Sequence, residues 1–224
     1  MLTWCFRPQC AACGLLATAA LCPACDGTLD PIGSSCPICA EPGELATTCR
    51  RCIVAPLPLD RVVSPWRFGG QLAIAIRRLK FAGATHVARA LAPLWAPVLA
   101  AAVAEHDAIV VPVPLHWRRR FARGFDHAWL LAHHACALAG IAPPVPALRR
   151  VRHAPPQSTL TAAARRENLH GAFAVRRSIT GRAVILVDDV VTTGATLAAC
   201  ARPLRAAGAT VVIGLAIARA TSVP

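Results

Sequence analysis

Four C-x-x-C pairs lie within the first 52 residues, and they constrain the possible folds of this chain more than any other sequence feature. The eight cysteines are Cys10, Cys13, Cys22, Cys25, Cys36, Cys39, Cys49 and Cys52. The residues between them are small, polar or turn-forming, so the segment has too few large apolar side chains to build its own core. Two tetrahedral zinc sites need eight thiolates, and each C-x-x-C pair can supply half of one site. The spacing therefore predicts two structural zinc sites within residues 1–55, arranged as a double zinc ribbon.

Disulfides and a redox centre are the alternatives to zinc. Disulfides need an oxidising compartment, but the chain carries Cys5 and Arg7 where a secretory signal needs an apolar run. We therefore expect a cytoplasmic protein with reduced thiols. A redox centre is typically a single C-x-x-C pair before a helix. We favour zinc ligation by consecutive pairs, although an interleaved arrangement also satisfies the spacing. Cys136 and Cys200 lie outside the pairs in helical patterns and are predicted to be buried.

After a proline-interrupted linker at 55–59, apolar strands alternate with helices. Strands are predicted at 61–68, 108–113, 145–148, 183–187 and 210–216, and helices at 72–81, 88–105, 128–139, 162–169 and 196–207. The run at 183–187 is apolar throughout, which is typical of a strand buried on both faces. This alternation predicts an α/β domain with a parallel sheet over residues 61–224. Its apolar windows are shorter than the roughly 20 residues of a membrane span, so we expect none.

Positive charge is concentrated outside the cysteine segment. The formal net charge of the chain is +13, from 24 basic and 11 acidic residues. Residues 116–182 alone hold 12 arginines against Asp126 and Glu167. Arginine is suited to bidentate contacts with phosphate, and such an excess attracts the phosphates of a nucleotide, a sugar phosphate or a nucleic acid. A solvated basic face is the alternative for any single arginine.

The most informative segment is Val184–Thr196, with the sequence VILVDDVVTTGAT. A buried strand delivers Asp188 and Asp189 at its carboxyl end, where ligands bind in open α/β sheets. A turn of two threonines and a glycine then leads into a helix. Hydroxyls, backbone N–H groups and a helix N-terminus together can hold an anion, and adjacent carboxylates suit sugar hydroxyls or a ligand-bound Mg²⁺. The segment therefore predicts a ribose 5-phosphate site, rather than residues that only cap a turn and a helix.

His116–Phe125 (HWRRRFARGF) interleaves three aromatic residues with four arginines. This mixture is compatible with base stacking and phosphate contacts along single-stranded DNA. However, Trp117, Phe121 and Phe125 are four residues apart, which is the spacing of one helix face. We therefore predict that these aromatic side chains are buried and that the arginines remain exposed.

The acidic segment resembles the phosphoribosyl pyrophosphate (PRPP) motif of type I phosphoribosyltransferases, in which an apolar strand precedes two acids and T-T-G-x-T. The resemblance implies that Asp188 and Asp189 hold the ribose hydroxyls and serve catalysis. It also implies that the loop after them holds the 5-phosphate, with Thr192, Thr193, Gly194, Ala195 and Thr196. Val190 and Val191 lie between the acids and this loop and complete the implied PRPP-binding segment. The resemblance further implies a parallel five-stranded sheet with a hood.

The whole chain resembles the ComF/GntX family, which joins a double zinc ribbon to such a domain. Besides the cysteine pairs and the acidic segment, several short motifs occur in the family order. They are Leu79–Phe81 (LKF), Val111–Pro114 (VPVP), Arg123–Ala128 (RGFDHA), Gln157–Arg165 and Asn168–Phe173. One departure is Asp126-His127, where relatives often carry Asn-Gln, so an acid and an imidazole replace two amides.

Phosphoribosyl transfer requires Mg²⁺ and cations that hold the departing pyrophosphate, but no protein nucleophile. The candidate cations are Arg118, Arg119, Arg120 and Arg123, followed by Arg165 and Arg166. Thr192 stands where purine-salvage relatives often place a carboxylate, and threonine cannot act as a general base near neutral pH. The residues therefore support binding of PRPP with Mg²⁺ better than they support a particular transfer reaction.

The family resemblance implies a cytoplasmic factor in DNA uptake during natural transformation. Such a factor would bind PRPP or a related ligand at Asp188–Thr196 and single-stranded DNA on its arginine-rich face. The zinc ribbons would serve as a scaffold or as a docking surface for DNA-uptake proteins. One alternative is an active phosphoribosyltransferase of nucleotide metabolism with an unknown acceptor, and another is a nucleotide-responsive regulatory module.

Overall fold

A parallel sheet forms the centre of the protein. The computed structural model describes residues 9–152, 169 and 171–221, apart from the side chain of Arg119. The strands are β1 Arg61–Val63, β2 Trp66–Arg67, β3 Ile109–Pro112, β4 Leu148–Arg150, β5 Phe173–Val175, β6 Ala183–Val191 and β7 Val211–Arg219. The main sheet has five strands in the order β1-β7-β6-β3, with β2 also paired to β7, and all pairs are parallel. β4 and β5 form a separate antiparallel pair.

Helices cover both faces of this sheet. They are α1 Pro23–Asp26, α2 Arg50–Val54, α3 Gly70–Phe81, α4 His86–Leu91, α5 Ala96–His106, α6 Trp117–Arg123, α7 His127–Ala139 and α8 Ala195–Ala206, with a 3-10 turn at Ala92–Leu94. Ile185 and Val187 of β6 pack with α3, α4, α5 and α7, whereas Val184 and Leu186 pack with α8 on the other face. This two-sided burial explains the unbroken apolar run of the strand. The predicted α/β fold with a parallel sheet is confirmed.

Prolines explain why one predicted helix is divided. The helix predicted at 88–105 is shared between α4 and α5, because Pro93 and Pro97 lack the N–H group that a continuous helix needs. In the described part of the chain no single helix is long and apolar enough to cross a membrane. The segments 86–94 and 96–106 reach that length only as a pair, and they are bent by 66° relative to each other.

The strands also differ from their predicted bounds. The strand predicted at 61–68 is divided into β1 and β2 around Pro65, which has no N–H to donate to the ladder. The strand predicted at 145–148 begins only at its last residue, and β6 extends four residues beyond 183–187, so that it contains both aspartates. The helix predicted at 162–169 lies, except for its last residue, outside the described residues.

The cysteine segment packs directly on the helices of the sheet domain. Cys10 and Leu21 are buried in the same apolar cluster as α3. Arg78 of α3 donates from Nη1 to the carbonyl oxygens of Cys10, Ala11 and Ala12 at 3.4, 3.0 and 2.8 Å. These three carbonyl groups belong to the turn that carries the first cysteine pair, so α3 fixes the orientation of that turn.

Candidate functional site

The end of β6 from Asp188, the turn after it and the first residues of α8 form one tight segment. We call this segment the ligand loop (residues 188–196). Gly194 caps α8 with a left-handed backbone (φ +76°), which strains residues that carry a side chain. The loop and the first turn of α8 line a cavity of about 20 Å³, which has space for one water-sized group. Its lining consists of Asp188, Val190, Val191, Thr192, Thr193, Gly194, Ala195, Thr196 and Leu197. Every predicted loop residue except Asp189 therefore faces one cavity.

Asp188 is the carboxyl group that the ligand loop presents to this cavity. It is half-buried, and its Oδ1 accepts a hydrogen bond from the backbone N–H of Asp189 at 2.9 Å. Burial and the neighbouring charge of Asp189 raise the pKa of Asp188 well above its ordinary value. The ionised form is thus short of stabilising partners, and hydroxyl groups of a ligand could provide them.

Asp189 is held inside the protein by partners from two helices. It is 2% exposed, and its Oδ2 lies 2.6 Å from Nζ of Lys80 in α3 and 3.5 Å from Nε2 of His127 in α7. Although burial by itself opposes ionisation, His127 and Lys80 together hold the pKa of Asp189 below its ordinary value. Asp189 is therefore an ionised carboxylate that is paired internally and does not line the cavity.

Lys80 and His127 were not assigned to the site from the sequence, although each carried a signal. Lys80 is the single lysine of the chain and belongs to the LKF motif, while His127 belongs to the Asp-His departure from the family pattern. Burial lowers the pKa of His127, and the charge of Asp189 opposes that effect. One ligand atom each from His127, Asp188 and Asp189 lie within 4.8 Å of one another. The acidic pair is therefore part of a buried charge cluster.

The aromatic residues of α6 are exposed, which corrects the predicted buried face. Trp117 is 64% exposed and Phe121 is 89% exposed, whereas Phe125 is partly buried against the core. Gly124 ends the helix with φ +77°, so Phe125 lies outside it. The four-residue spacing therefore does not continue along one helix face, and the two aromatic side chains within α6 remain in solvent.

Arginines of α6 lie over two exposed rings, that of Trp117 and that of Phe81 at the end of α3. Arg118 lies 5.3 Å from the ring centre of Trp117, and Arg123 lies 5.1 Å from that of Phe81. We call this surface the α6 platform, and it consists of Phe81, Trp117, Arg118, Phe121 and Arg123. Neither of the two arginines lines the loop cavity. The side chain of Arg119 and all of Arg165 and Arg166 fall outside the described residues.

The eight paired cysteines form two clusters of four, in which the sulfur atoms all lie within 4.8 Å of one another. The clusters are Cys10, Cys13, Cys22 and Cys25, and Cys36, Cys39, Cys49 and Cys52. Consecutive pairs therefore combine, as predicted. The Sγ–Sγ distance is 3.7 Å between Cys13 and Cys22 and 3.6 Å between Cys39 and Cys49. Four sulfurs about 2.3 Å from a tetrahedral zinc ion are separated by nearly this distance, so both clusters could hold zinc.

Hydrogen bonds also prepare the second cluster for a cation. The N–H group of Cys49 donates to Sγ of Cys36 at 3.4 Å, and Nη2 of Arg51 donates to Sγ of Cys39 at 3.3 Å. Burial raises the pKa of Cys36, but backbone N–H groups outweigh it and lower that pKa to about 6. The thiolate is the form that binds metal, and these N–H groups favour it at Cys36, whereas burial raises the pKa of Cys39 despite the hydrogen bond from Arg51. By contrast, Cys136 and Cys200 are buried in helices, as predicted.

The second cluster touches the carboxyl end of the sheet next to the ligand loop. Arg219, at the end of β7, is fully buried, donates to the carbonyl oxygen of Cys39 at 2.6 Å and pairs with Glu41. Leu57 packs against the same cluster. Its Cδ1 would lie 3.0 Å from a Cβ atom at Gly194. The cluster and the linker therefore support the ligand loop from one side.

Comparisons with known proteins agree with this architecture. Residues 133–222 match the family model described as "Phosphoribosyl transferase domain". The chain is 34% identical over 197 residues to "DNA utilization protein YhgH" of Salmonella typhi, covering 86% of this chain and 87% of that protein. It is 31% identical over 204 residues to "Competence protein F" of Haemophilus influenzae, with the same coverage, and 28% identical over 192 residues to "Competence protein ComFC" of Bacillus subtilis, covering 82% and 77%. With its two four-cysteine clusters and its phosphoribosyltransferase domain, the chain belongs to the ComF family.

Proposed function

We propose that this protein binds PRPP at the ligand loop and single-stranded DNA on the α6 platform, and that it acts in DNA uptake in the cytoplasm. The observation that carries the proposal is the cavity in which Asp188 meets the threonine loop at the start of α8. The names of the relatives, DNA utilization and competence proteins, support the pathway. Proteins that handle incoming DNA strands are the partners that this role implies.

The ligand loop suits a phosphate ester beside a sugar. The first N–H groups of the 12-residue α8 have no helical partner, and that of Ala195 donates to Oγ1 of Thr193 at 3.3 Å. These N–H groups and the threonine hydroxyls can donate to phosphate oxygens when a ligand binds. Ribose hydroxyls would donate to Asp188 and stabilise its ionised form, which burial now disfavours. Asp189, paired with Lys80, adds a second negative charge behind the first and fixes the strand end. Asp188 is thus the acid that touches the sugar.

The described residues fit zinc at the cysteine clusters, but they do not fit a resident Mg²⁺ ion at the aspartates. The sulfur distances of the two cysteine clusters fit zinc, and we propose one structural zinc ion in each, within a zinc-binding unit at 1–55 that precedes a phosphoribosyltransferase unit at 61–224. The donors near Asp189 do not fit a resident cation, because the Lys80 ammonium already occupies that side of the carboxylate. Mg²⁺ would instead enter with the pyrophosphate of PRPP.

The α6 platform supports the binding of single-stranded DNA. Phe121 and Trp117 expose ring faces on which bases can stack, and base–aromatic stacking tolerates any sequence. Arg118 lies over the Trp117 ring and Arg123 over the Phe81 ring, where both can contact the phosphates of the same strand. Because the contacts are largely electrostatic, affinity should fall steeply with salt.

Calorimetric titration with PRPP and Mg²⁺ tests the ligand site. Wild-type protein should bind, Asp188→Asn should bind at least about tenfold more weakly, because it loses charge-assisted hydrogen bonds, and Asp107→Asn should bind like wild type. Asp107 is an exposed aspartate remote in sequence from the loop, so it controls for loss of one negative charge. No binding by wild type, or equal binding by Asp188→Asn, would overturn the assignment.

A second candidate function is transfer of the phosphoribosyl group to an acceptor. The match to a phosphoribosyltransferase domain and the adjacent Asp188 and Asp189 favour it. This function predicts acceptor-dependent release of pyrophosphate from PRPP, and loss of that release in Asp188→Asn/Asp189→Asn. Absence of release across a broad panel of nucleobases and amines would leave PRPP as a bound ligand rather than a substrate.

A further inference from the structure

A second and larger concave surface lies along the open edge of the sheet. It is a groove of about 560 Å³ between β3, α6, the start of α7 and the antiparallel β4–β5 pair. In the part of the chain that the structure describes, no residue lines both this groove and the loop cavity. The groove is therefore separate from the proposed PRPP site, and its chemistry can be considered by itself.

Three aromatic residues line the groove. Trp117 and Phe125 come from either side of the glycine that ends α6, and Trp129 follows in the first turn of α7. Trp117 is largely exposed, and the other two are partly buried. Rings held in this way offer flat apolar faces at low entropic cost, which suits stacking with a planar group.

Arginines from three separate elements face the same space. Arg120 belongs to α6, Arg149 to β4, and Arg176 follows β5. All three are exposed, and within the described residues none has a carboxylate partner. Three uncompensated guanidinium groups around one groove repel one another, and an anionic ligand would relieve that repulsion.

Among the described residues that line the groove, Asp126 is the one acid, and its single charge offsets only part of the charge of the arginines. Asp126 Oδ1 accepts a hydrogen bond from the N–H of Trp129 at 3.2 Å, and its Oδ2 accepts one from the N–H of Leu115 at 3.1 Å. Both oxygens are thus used to cap α7 and to fix the loop after β3. The groove therefore combines aromatic faces with a net positive charge.

We propose that this groove binds one nucleotide unit, with the base stacked on Trp117 and Trp129 and the phosphate held by Arg149, Arg176 and Arg120. A planar aromatic group joined to a phosphate suits both the aromatic residues and the arginines of the lining, whereas a sugar phosphate would use only the arginines. The unit is either a free mononucleotide or one nucleotide of a strand. In the second case the inference rests on the proposed binding of DNA, which it deepens by extending the path of the strand beyond the α6 platform.

Binding of deoxyadenosine monophosphate and of a short deoxyadenosine oligomer, each followed by calorimetry, tests the groove. Arg149→Gln/Arg176→Gln should weaken nucleotide binding at least about tenfold, because it removes two charge-assisted contacts to phosphate. Arg177→Gln/Arg202→Gln is the matched control, since both residues are exposed arginines outside the groove lining and the charge change is the same. PRPP binding should be unchanged in both double variants.

The outcomes separate the groove from the proposed function. We call Arg149→Gln/Arg176→Gln the groove variant. If the protein binds the monophosphate and only the groove variant loses this binding, the groove is a site for free nucleotides. If the protein binds only the oligomer and the groove variant loses this binding, the groove holds one nucleotide of a strand. Oligomer binding that Phe121→Ala weakens but the groove variant leaves intact overturns the groove while the α6 platform stands. If wild-type protein binds neither the monophosphate nor the oligomer, both the groove proposal and the DNA-binding proposal are overturned. The proposal that the ligand loop binds PRPP would be unaffected by this result.

Discussion

Replacing Lys80 by methionine tests the charge cluster behind the ligand loop. Lys80 lies in the last turn of α3, with its ammonium 2.6 Å from the buried Asp189 carboxylate. Methionine keeps the unbranched stem and a high helix propensity but removes the charge. Asp189 would then remain buried with His127 and the N–H group of Val190 as partners, so the substitution leaves the carboxylate without its main cation.

The expected loss follows from the burial of the two partners. Removal of one member of a fully buried ion pair costs about 3–5 kcal/mol. The side chain of Lys80 is 25% exposed and that of Asp189 only 3%. Water can thus reach the vacated position and partly solvate the carboxylate, which reduces the cost. We expect the free energy of unfolding at pH 7 to fall by about 2–3 kcal/mol.

The pH dependence gives the sign of the effect. In the wild type the pKa of Asp189 is lowered, so its contribution to stability is present at neutral pH and is lost as pH falls through that lowered value. Without Lys80 the pKa of Asp189 should rise, and protonation should then relieve the unpaired charge. The difference in unfolding free energy between wild type and variant should therefore shrink as the pH falls from 7 toward about 4.

Urea denaturation at several pH values measures these differences. Arg77→Met is the control, because Arg77 is an exposed cation on the same helix, and it should cost well under about 1 kcal/mol. Lys80→Met/Asp189→Asn should recover much of the lost stability, since it removes the uncompensated charge. A Lys80→Met loss as small as that of Arg77→Met, or a double variant no more stable than the single one, would refute the buried ion pair.

Three other predictions follow from the ligand loop, the cysteines and the α6 platform. Gly194→Ala should destabilise the protein by about 1 kcal/mol, because the positive φ strains a residue with a side chain, and it should weaken PRPP binding in calorimetry. Adding Leu57→Ala should relieve the 3.0 Å contact with the new Cβ atom but not the φ strain. Unchanged stability and binding in Gly194→Ala would contradict this. Metal analysis should find two zinc ions per chain and a reduced content in Cys39→Ser but not in Cys136→Ser. Phe121→Ala should reduce affinity for single-stranded DNA about tenfold without loss of stability, because the ring is 89% exposed, and equal retention on an oligonucleotide column would argue against stacking.

Contiguous features were predictable from the sequence. The strand, the aspartates and the threonine turn are consecutive, so the chain order itself delivers them to one end of the sheet. The same holds for consecutive C-x-x-C pairs, which need only a short loop to meet. In each case local geometry leaves few alternatives, and the cavity lined by the ligand loop follows from it.

Features that depend on packing between distant segments were not predictable. Lys80 and His127 contact Asp189 from helices more than 50 residues away in sequence, and no local sequence pattern predicts these contacts. Within α6, Trp117 and Phe121 are exposed, whereas Phe125, which follows the glycine that ends the helix, is partly buried. A four-residue spacing shows which residues share a helix face, but not whether another segment packs on that face.

A crystal structure of the protein with PRPP and Mg²⁺ tests the central claim most directly. The claim predicts the 5-phosphate within hydrogen-bond distance of the backbone N–H groups from Thr193 to Thr196, and a ribose hydroxyl on Asp188. Density for PRPP in the groove lined by Arg120, Arg149 and Arg176, with no ligand at the ligand loop, would contradict the claim. A sugar that makes no contact with Asp188 would also contradict it.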